Sequence, residues 1–379
     1  MPRGDTLNMR TLDLQSLQQR YPEGTNPTEF DALKALGIEL PGWATLEEQI
    51  YNDLVETVPY GIGWWTPEPG TKRRILISDQ LYACAISVTQ NMTESALHWL
   101  EFQDASERDR NSYLDSVRIA NGRLTDADRR PADPHEQLIP AIAGIHRVGL
   151  VRALASALDC LAGVIIGVAA LPVNILRADF QRTRRALADP SLTQTQKDFA
   201  SNLDGKIVAA GPTGWLDWTL DYRNMVVHRG RRLELGQRIP GRVYKPDGVP
   251  SARRVTQIPR DPARSEVQVF LDSPQALSLT EEEEATLSGL LDSTTSLLEA
   301  TARDLFKLWR WRKQNPTALP QRKEQWEEPS KAATAFNGYA PGTHPLDASA
   351  AMVLHPTLKR RFGAASLLDP DRANWKTFD

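Results

Sequence analysis

"RALASALDCLAGVIIGVAALP", residues 152–172, decides the fold. Apart from Arg152, Ser156 and Asp159 it is apolar on every side, and with its flanks it is nearly long enough to cross a bilayer. A spanning helix would leave Asp159 in lipid at a cost of about 3 kcal/mol, with Arg152 and Arg177 crowding its two ends. The rest of the chain is polar with helical periodicity, so the stretch is expected to be the central helix of a soluble bundle. That helix runs from about Glu136 to Leu171, where Pro172, which lacks an amide hydrogen, stops it.

Working outward, residues 75–102 carry Leu81, Cys84, Val88, Met92 and Trp99 at steps of three and four, which reads as a helix. A polar stretch over 104–134 holds a second helix near "RNSYLDSVRIANG". Shorter helices are expected near 174–187 and 193–209. A helix over 215–228 follows the turn "GPTG", with Gly230 as its stop. Beyond it, "RLELG", "RVYK", "RRVTQI" and "EVQVFLD" are short alternating runs between Pro and Gly, and they predict a small hairpin or sheet over about 231–273. Thr280 with Glu283 forms a capping box for a last long helix to about Arg312. Residues 1–70 read as an N-terminal extension with one short helix near "TLEEQIYNDLVET". Residues 71–315 read as the helical domain, and 316–379 as an irregular tail docked on the body.

Composition narrows the class. Of 379 residues, 41% are hydrophobic and 25% charged, the balance of a globular chain with ample core. The net charge of -3 disfavours a protein that coats nucleic acid over its whole surface, though a local basic patch is compatible with it. Two cysteines, Cys84 and Cys160, make no disulfide framework, and the first twenty residues lack the apolar core of a secretory signal. A cytoplasmic protein, with no membrane partner, is the expectation.

The helix over 215–228 ends in "DYRNMVVH". At about 100° per residue, Trp218, Tyr222, Met225 and Val226 share a core sector, while Arg223, Asn224, Val227 and His228 face the other way. Asn224 and His228 are four apart on one stripe, and the long Arg223 side chain can swing toward it. Val227 among them suggests that this face is covered, and a second copy of the helix about a two-fold axis would cover it.

Arg223-Asn224-x-x-x-His228, following a long apolar helix and preceding one last helix, resembles the Arg-x(4–6)-His signature of the HEPN superfamily over residues 71–315. The resemblance implies a mainly α, HEPN-like helical bundle carrying the β insertion, and a homodimer with a composite site. It also implies a metal-independent endoribonuclease of the toxin or antiviral-defence kind, often restrained by an antitoxin or other regulatory protein partner. The residue chemistry is compatible. Histidine serves as base or acid near neutral pH, arginine's fork suits a phosphate gaining charge, and asparagine can orient either. His228 is thus the expected acid/base, Arg223 the phosphate stabiliser and Asn224 the orienter. The alternative is a non-catalytic module of the same kind that binds RNA, a nucleotide or a partner protein.

Residues 223–264 hold ten arginines and Lys245 against Glu234, Asp247 and Asp261, a local excess of +8 that could track an RNA backbone. Arg229, Arg231, Arg232, Lys245, Arg253 and Arg254 are the candidate RNA contacts. Gly149, Arg152, Ser156, Asp159, Gly163 and Gly167 form a small and polar stripe on the central helix. A carboxylate there needs a partner, either Arg223, which it would then orient, or Arg152. The six histidines make no close ligand pair in sequence, and there is no Cys-x-x-Cys, GxxxxGK[ST] or GxGxxG. No metal and no cofactor is therefore expected.

Overall fold

The structure is a computed structural model that describes residues 29–56, 64–66, 71–119, 134–228, 258–272, 279 and 281–319. Its helices, in chain order, are α1 (Glu29–Ala35), α2 (Pro41–Glu56), α3 (Thr71–Ile119), α4 (Pro134–Ala169), α5 (Phe180–Leu187), α6 (Gln194–Ala210), α7 (Trp215–His228), α8 (Glu266–Asp272) and α9 (Glu283–Gln314). A single 3-10 turn, Ile175–Arg177, links α4 to α5. The protein is mainly α, with no strand among the described residues.

The central helix is where the sequence put it. α4 packs on α3, α5, α7 and α9, so Leu154, Leu158, Leu161, Val164, Ile165 and Val168 are buried along one face and Ala155, Ala162 and Ile166 along a second. It is long and apolar enough to cross a membrane, but 78% of its most apolar window is buried by protein in this fold. The glycine stripe explains how α3 lies so close. A β-carbon at Gly163 would meet Cys84 Sγ, and one at Gly167 would meet Leu81. Larger residues there would push the two longest helices apart.

The C-terminal end of α4 is buried, so its last carbonyls need donors other than water. Three side chains supply them. Trp65 Nε1 donates to Gly167 O at 2.9 Å, and Gln196 Nε2 donates to Ala169 O at 2.7 Å. Arg312 Nη1 donates to Gly167 O at 2.6 Å and to Val168 O at 3.1 Å, while its Nη2 reaches Trp65 O at 2.7 Å. Burial pulls the Arg312 guanidinium down to about 10, still charged at neutral pH and well placed at the negative end of the helix. Trp65 of the "WW" pair thus belongs to the cap of the core helix, while Trp64 packs edge-on against Trp309.

The chain leaves α4 through Ala170 at φ 51°, and Leu171 N bonds Ile166 O at 3.1 Å, the 6→1 bond of a Schellman turn. Alanine pays a steric penalty in this left-handed conformation that glycine does not. Ala170→Gly is expected to raise stability by about 0.5–1 kcal/mol, read as a higher denaturant midpoint with unchanged slope; a lower midpoint would contradict the strain argument.

Several expectations are corrected. α3 is one helix that runs through the polar stretch to Ile119 instead of two. "EVQVFLD" is not a strand but α8, because Ser265 and Gln268 form a reciprocal capping box ahead of it, with Gln268 N on Ser265 Oγ at 3.3 Å and Ser265 N on Gln268 Oε1 at 3.1 Å. The remainder of the expected β insertion lies outside the described residues. α9 starts from Glu282 with no side-chain cap, and Glu283 instead accepts from Arg147 Nη1 at 2.6 Å, tying α9 to α4.

The segment set apart as an N-terminal extension packs into the same core. Leu33, Leu36, Trp43, Leu46, Ile50 and Leu54 are buried in it. The Glu299 carboxylate of α9 accepts from Gly42 N at 2.9 Å and Trp43 N at 3.3 Å, a charge placed at the positive start of α2. At the other end, Leu319 is buried; the rest of the expected tail lies outside the described residues.

Candidate functional site

α7 has the two faces read from the sequence. Tyr222 and Met225 are buried, Trp218 and Val226 are half-buried, and Val227 is 44% exposed. Trp218 stacks on Tyr222 with ring centroids 4.9 Å apart, and its Nε1 donates to Pro259 O at 3.1 Å, which holds the Ile258–Pro259 strap over the helix. α7 therefore cannot rotate freely, and Arg223 and Asn224, both half-buried, stay on the side away from the core.

The question of the Asp159 partner has a clear answer. Arg223 Nη2 donates to Asp159 Oδ2 at 2.8 Å, and Arg152 lies 3.6 Å from Glu94 instead. The other carboxylate oxygen accepts from Phe180 N, the first residue of α5, at 3.0 Å. One carboxylate on α4 thus joins the start of α5 to the motif arginine on α7. Burial raises the Asp159 pKa above its usual value, opposed by the Phe180 amide and Arg223 and assisted by Asp179. A second tie, Arg184 Nη1 to Asp217 Oδ1 at 2.7 Å, holds α5 against the first turn of α7.

Arg223 carries an unmet donor. Its Nε is buried and has no hydrogen-bond partner among the described residues. Such a group costs about 1–3 kcal/mol, a cost that the Arg312 cap of α4 carries as well. His228 closes α7 one helical turn beyond Asn224, and its backbone is the last described before the basic segment. Arg229, Arg231, Arg232, Lys245, Arg253 and Arg254 lie outside the described residues.

The structure adds basic residues that the sequence reading passed over. Arg182 and Arg185 on α5 are exposed beside the tethered Arg184, next to the helix that Asp159 links to Arg223. Their signal was the run "RTRR", read only as part of a short helix. The cysteines have no nucleophilic character. Burial pushes the Cys160 thiol up to about 12 and raises Cys84 as well, so both stay protonated.

Comparison with family models, with curated proteins and with solved structures found no match.

Proposed function

We propose that this chain is a metal-independent endoribonuclease, with Arg223, Asn224 and His228 at its centre and a second copy of the chain completing the site. The observation that supports it best is the Asp159–Arg223 pair, which holds a motif arginine in a fixed place beside Asn224. This is how an enzyme pre-positions a cation for a charge that appears only during reaction.

The chemistry needs no metal. The 2′-hydroxyl of one nucleotide attacks the adjacent phosphorus, a P–O bond to the 5′-oxygen breaks, and a 2′,3′-cyclic phosphate and a 5′-hydroxyl result. One His228 accepts the 2′-hydroxyl proton, and the His228 of the second copy delivers a proton to the leaving oxygen. Arg223 offers its fork to the phosphoryl oxygens, and Asn224 orients the imidazole or a phosphate oxygen. Val227, exposed between these residues, is the apolar contact across the two-fold axis. Arg229, Arg231, Arg232, Lys245, Arg253 and Arg254 supply backbone contacts to RNA. A cytoplasmic toxin or antiviral-defence role, held in check by an antitoxin or other regulatory protein, is the setting that the HEPN resemblance favours.

The same ion pair also favours a second reading, a non-catalytic module that binds RNA, a nucleotide or a protein, in which Asp159 merely fixes the register of α4 and α7. Asp159→Asn separates the two. Because burial raises the folded-state pKa, the contribution of the protonated form to stability is full below the ordinary carboxylate value and is lost as pH rises through the folded value. Asparagine imitates that neutral form and keeps an acceptor for Phe180 N, so stability should change by only about 1 kcal/mol. Cleavage of labelled RNA in EDTA should nonetheless fall roughly tenfold as Arg223 loses its anchor. Full-rate cleavage by a folded Asp159→Asn chain would reduce Asp159 to a register device.

A further inference from the structure

Away from that site, α3 and α4 bring together two histidines 48 residues apart in sequence. His98 Nδ1 and His146 Nδ1 stand 3.0 Å from one another, with the rings tilted and their centroids 5.2 Å apart. The His98 ring has little freedom, since it lies directly over Gly149, where any β-carbon would collide with its Nε2 edge. Glu94 Oε1 sits 3.6 Å from that same Nε2, and Arg152 lies 3.6 Å from the same carboxylate oxygen.

Two readings of the Nδ1 pair compete. A hydrogen bond requires one ring to donate and the other to accept. A metal requires both lone pairs to converge on one point. Metal–nitrogen bonds of about 2.1 Å separate two ligand atoms by about 3.0 Å at a right angle and by about 3.4 Å at the tetrahedral angle. The observed 3.0 Å is an ordinary hydrogen-bond length and equally the separation of two adjacent corners of an octahedral or tetragonal site. The Glu94 carboxylate, 3.6 Å from the far nitrogen of His98, favours the tautomer that keeps its proton there and leaves the lone pair on Nδ1. Among the described residues no further His, Cys, Asp or Glu completes a set of three, so the two imidazoles are the protein ligands that these residues supply.

We propose that His98 and His146 form a two-histidine site for a borderline divalent transition ion, Ni²⁺, Cu²⁺ or Zn²⁺, which staples α3 to α4. The site is separate from Arg223 and Asn224, so it takes no part in RNA cleavage and is independent of the ribonuclease reading. The sequence concealed it because the two histidines are 48 residues apart and lie on different helices.

The test is calorimetric titration of the full chain, free of any polyhistidine tag and stripped with EDTA, with Ni²⁺, Zn²⁺ and, as a hard-ion control, Mg²⁺. Saturable binding of one Ni²⁺ or Zn²⁺ per chain is expected, with no response to Mg²⁺, and at least tenfold weaker binding in both His98→Ala and His146→Ala. Binding should weaken as pH falls through the histidine range, because each ligand must lose its proton. The same ions should raise the melting temperature of wild type and leave that of His146→Ala unchanged. His98→Gln, which can still hydrogen-bond, serves should the alanine variant fail to fold. No saturable Ni²⁺ or Zn²⁺ binding by wild type, or equal binding by the histidine variants, would overturn the proposal and leave the pair as a hydrogen bond.

Discussion

His228→Ala is expected to lower RNA cleavage by about 10²–10⁴-fold, the range for removing a general acid–base group. Arg223→Ala should lose about 10²–10³-fold, the usual loss when one preorganised donor to a developing charge is removed. The two variants differ in their side effects. His228 closes α7, so its loss should leave the fold intact. Arg223→Ala strips Asp159 of its one arginine partner among the described residues, in a half-buried place, and should destabilise the protein, so Arg223→Ala combined with Asp159→Asn is the fair control. Arg223→Lys keeps the charge but not the planar fork, and should recover only part of the rate. Single-turnover rates on labelled RNA, with melting curves and elution volumes for each variant, measure these effects. A folded, dimeric His228→Ala chain cutting at the wild-type rate would remove the motif from the mechanism.

The second large effect concerns the fold. Trp309 is fully buried on α9, its ring stands edge-on to Trp64 at 5.0 Å, and its Nε1 donates to Asp53 Oδ2 at 2.7 Å. Trp309→Ala would leave a large cavity where α2, α9 and the 64–66 segment meet, at a cost of about 3–5 kcal/mol. Asp53 would still hold Gln49 and Lys313, so the loss is mainly packing. Trp309→Phe keeps most of the ring and should lose only about 1–2 kcal/mol, for the indole donor and a smaller void. Urea midpoints at constant slope decide the matter, and an alanine variant within 1 kcal/mol of wild type would show that the region collapses around the gap.

Much of this architecture is legible in the sequence because its signals are local. Pro172 ends the core helix, and "GPTG" starts the motif helix. Nothing in residues 71–119 is Gly or Pro, which is why α3 continues through a polar stretch that lacks an apolar stripe. That absence of breakers was the available signal, and apolar periodicity outweighed it. In "SEVQVFLD" the alternating pattern suggested a strand, while the Ser265/Gln268 capping box, a stronger cue over so short a run, gave a helix. Long-range choices were not legible. Asp159 had two arginines within plausible reach, and only the packing of α7 on α4 selects Arg223. Trp64 and Trp65 gave no hint of their place, because an indole capping a distant helix leaves no periodic trace. His98 and His146 meet only because Gly149 lets α3 and α4 close together.

The most direct test of the proposed activity is incubation of the wild-type protein with labelled total tRNA and a generic single-stranded RNA in excess EDTA, followed by chemical identification of the new ends. Cleavage that survives EDTA and leaves 2′,3′-cyclic phosphate and 5′-hydroxyl termini is the predicted result. Intact RNA, or cleavage that stops with EDTA and leaves 5′-phosphates, would contradict it.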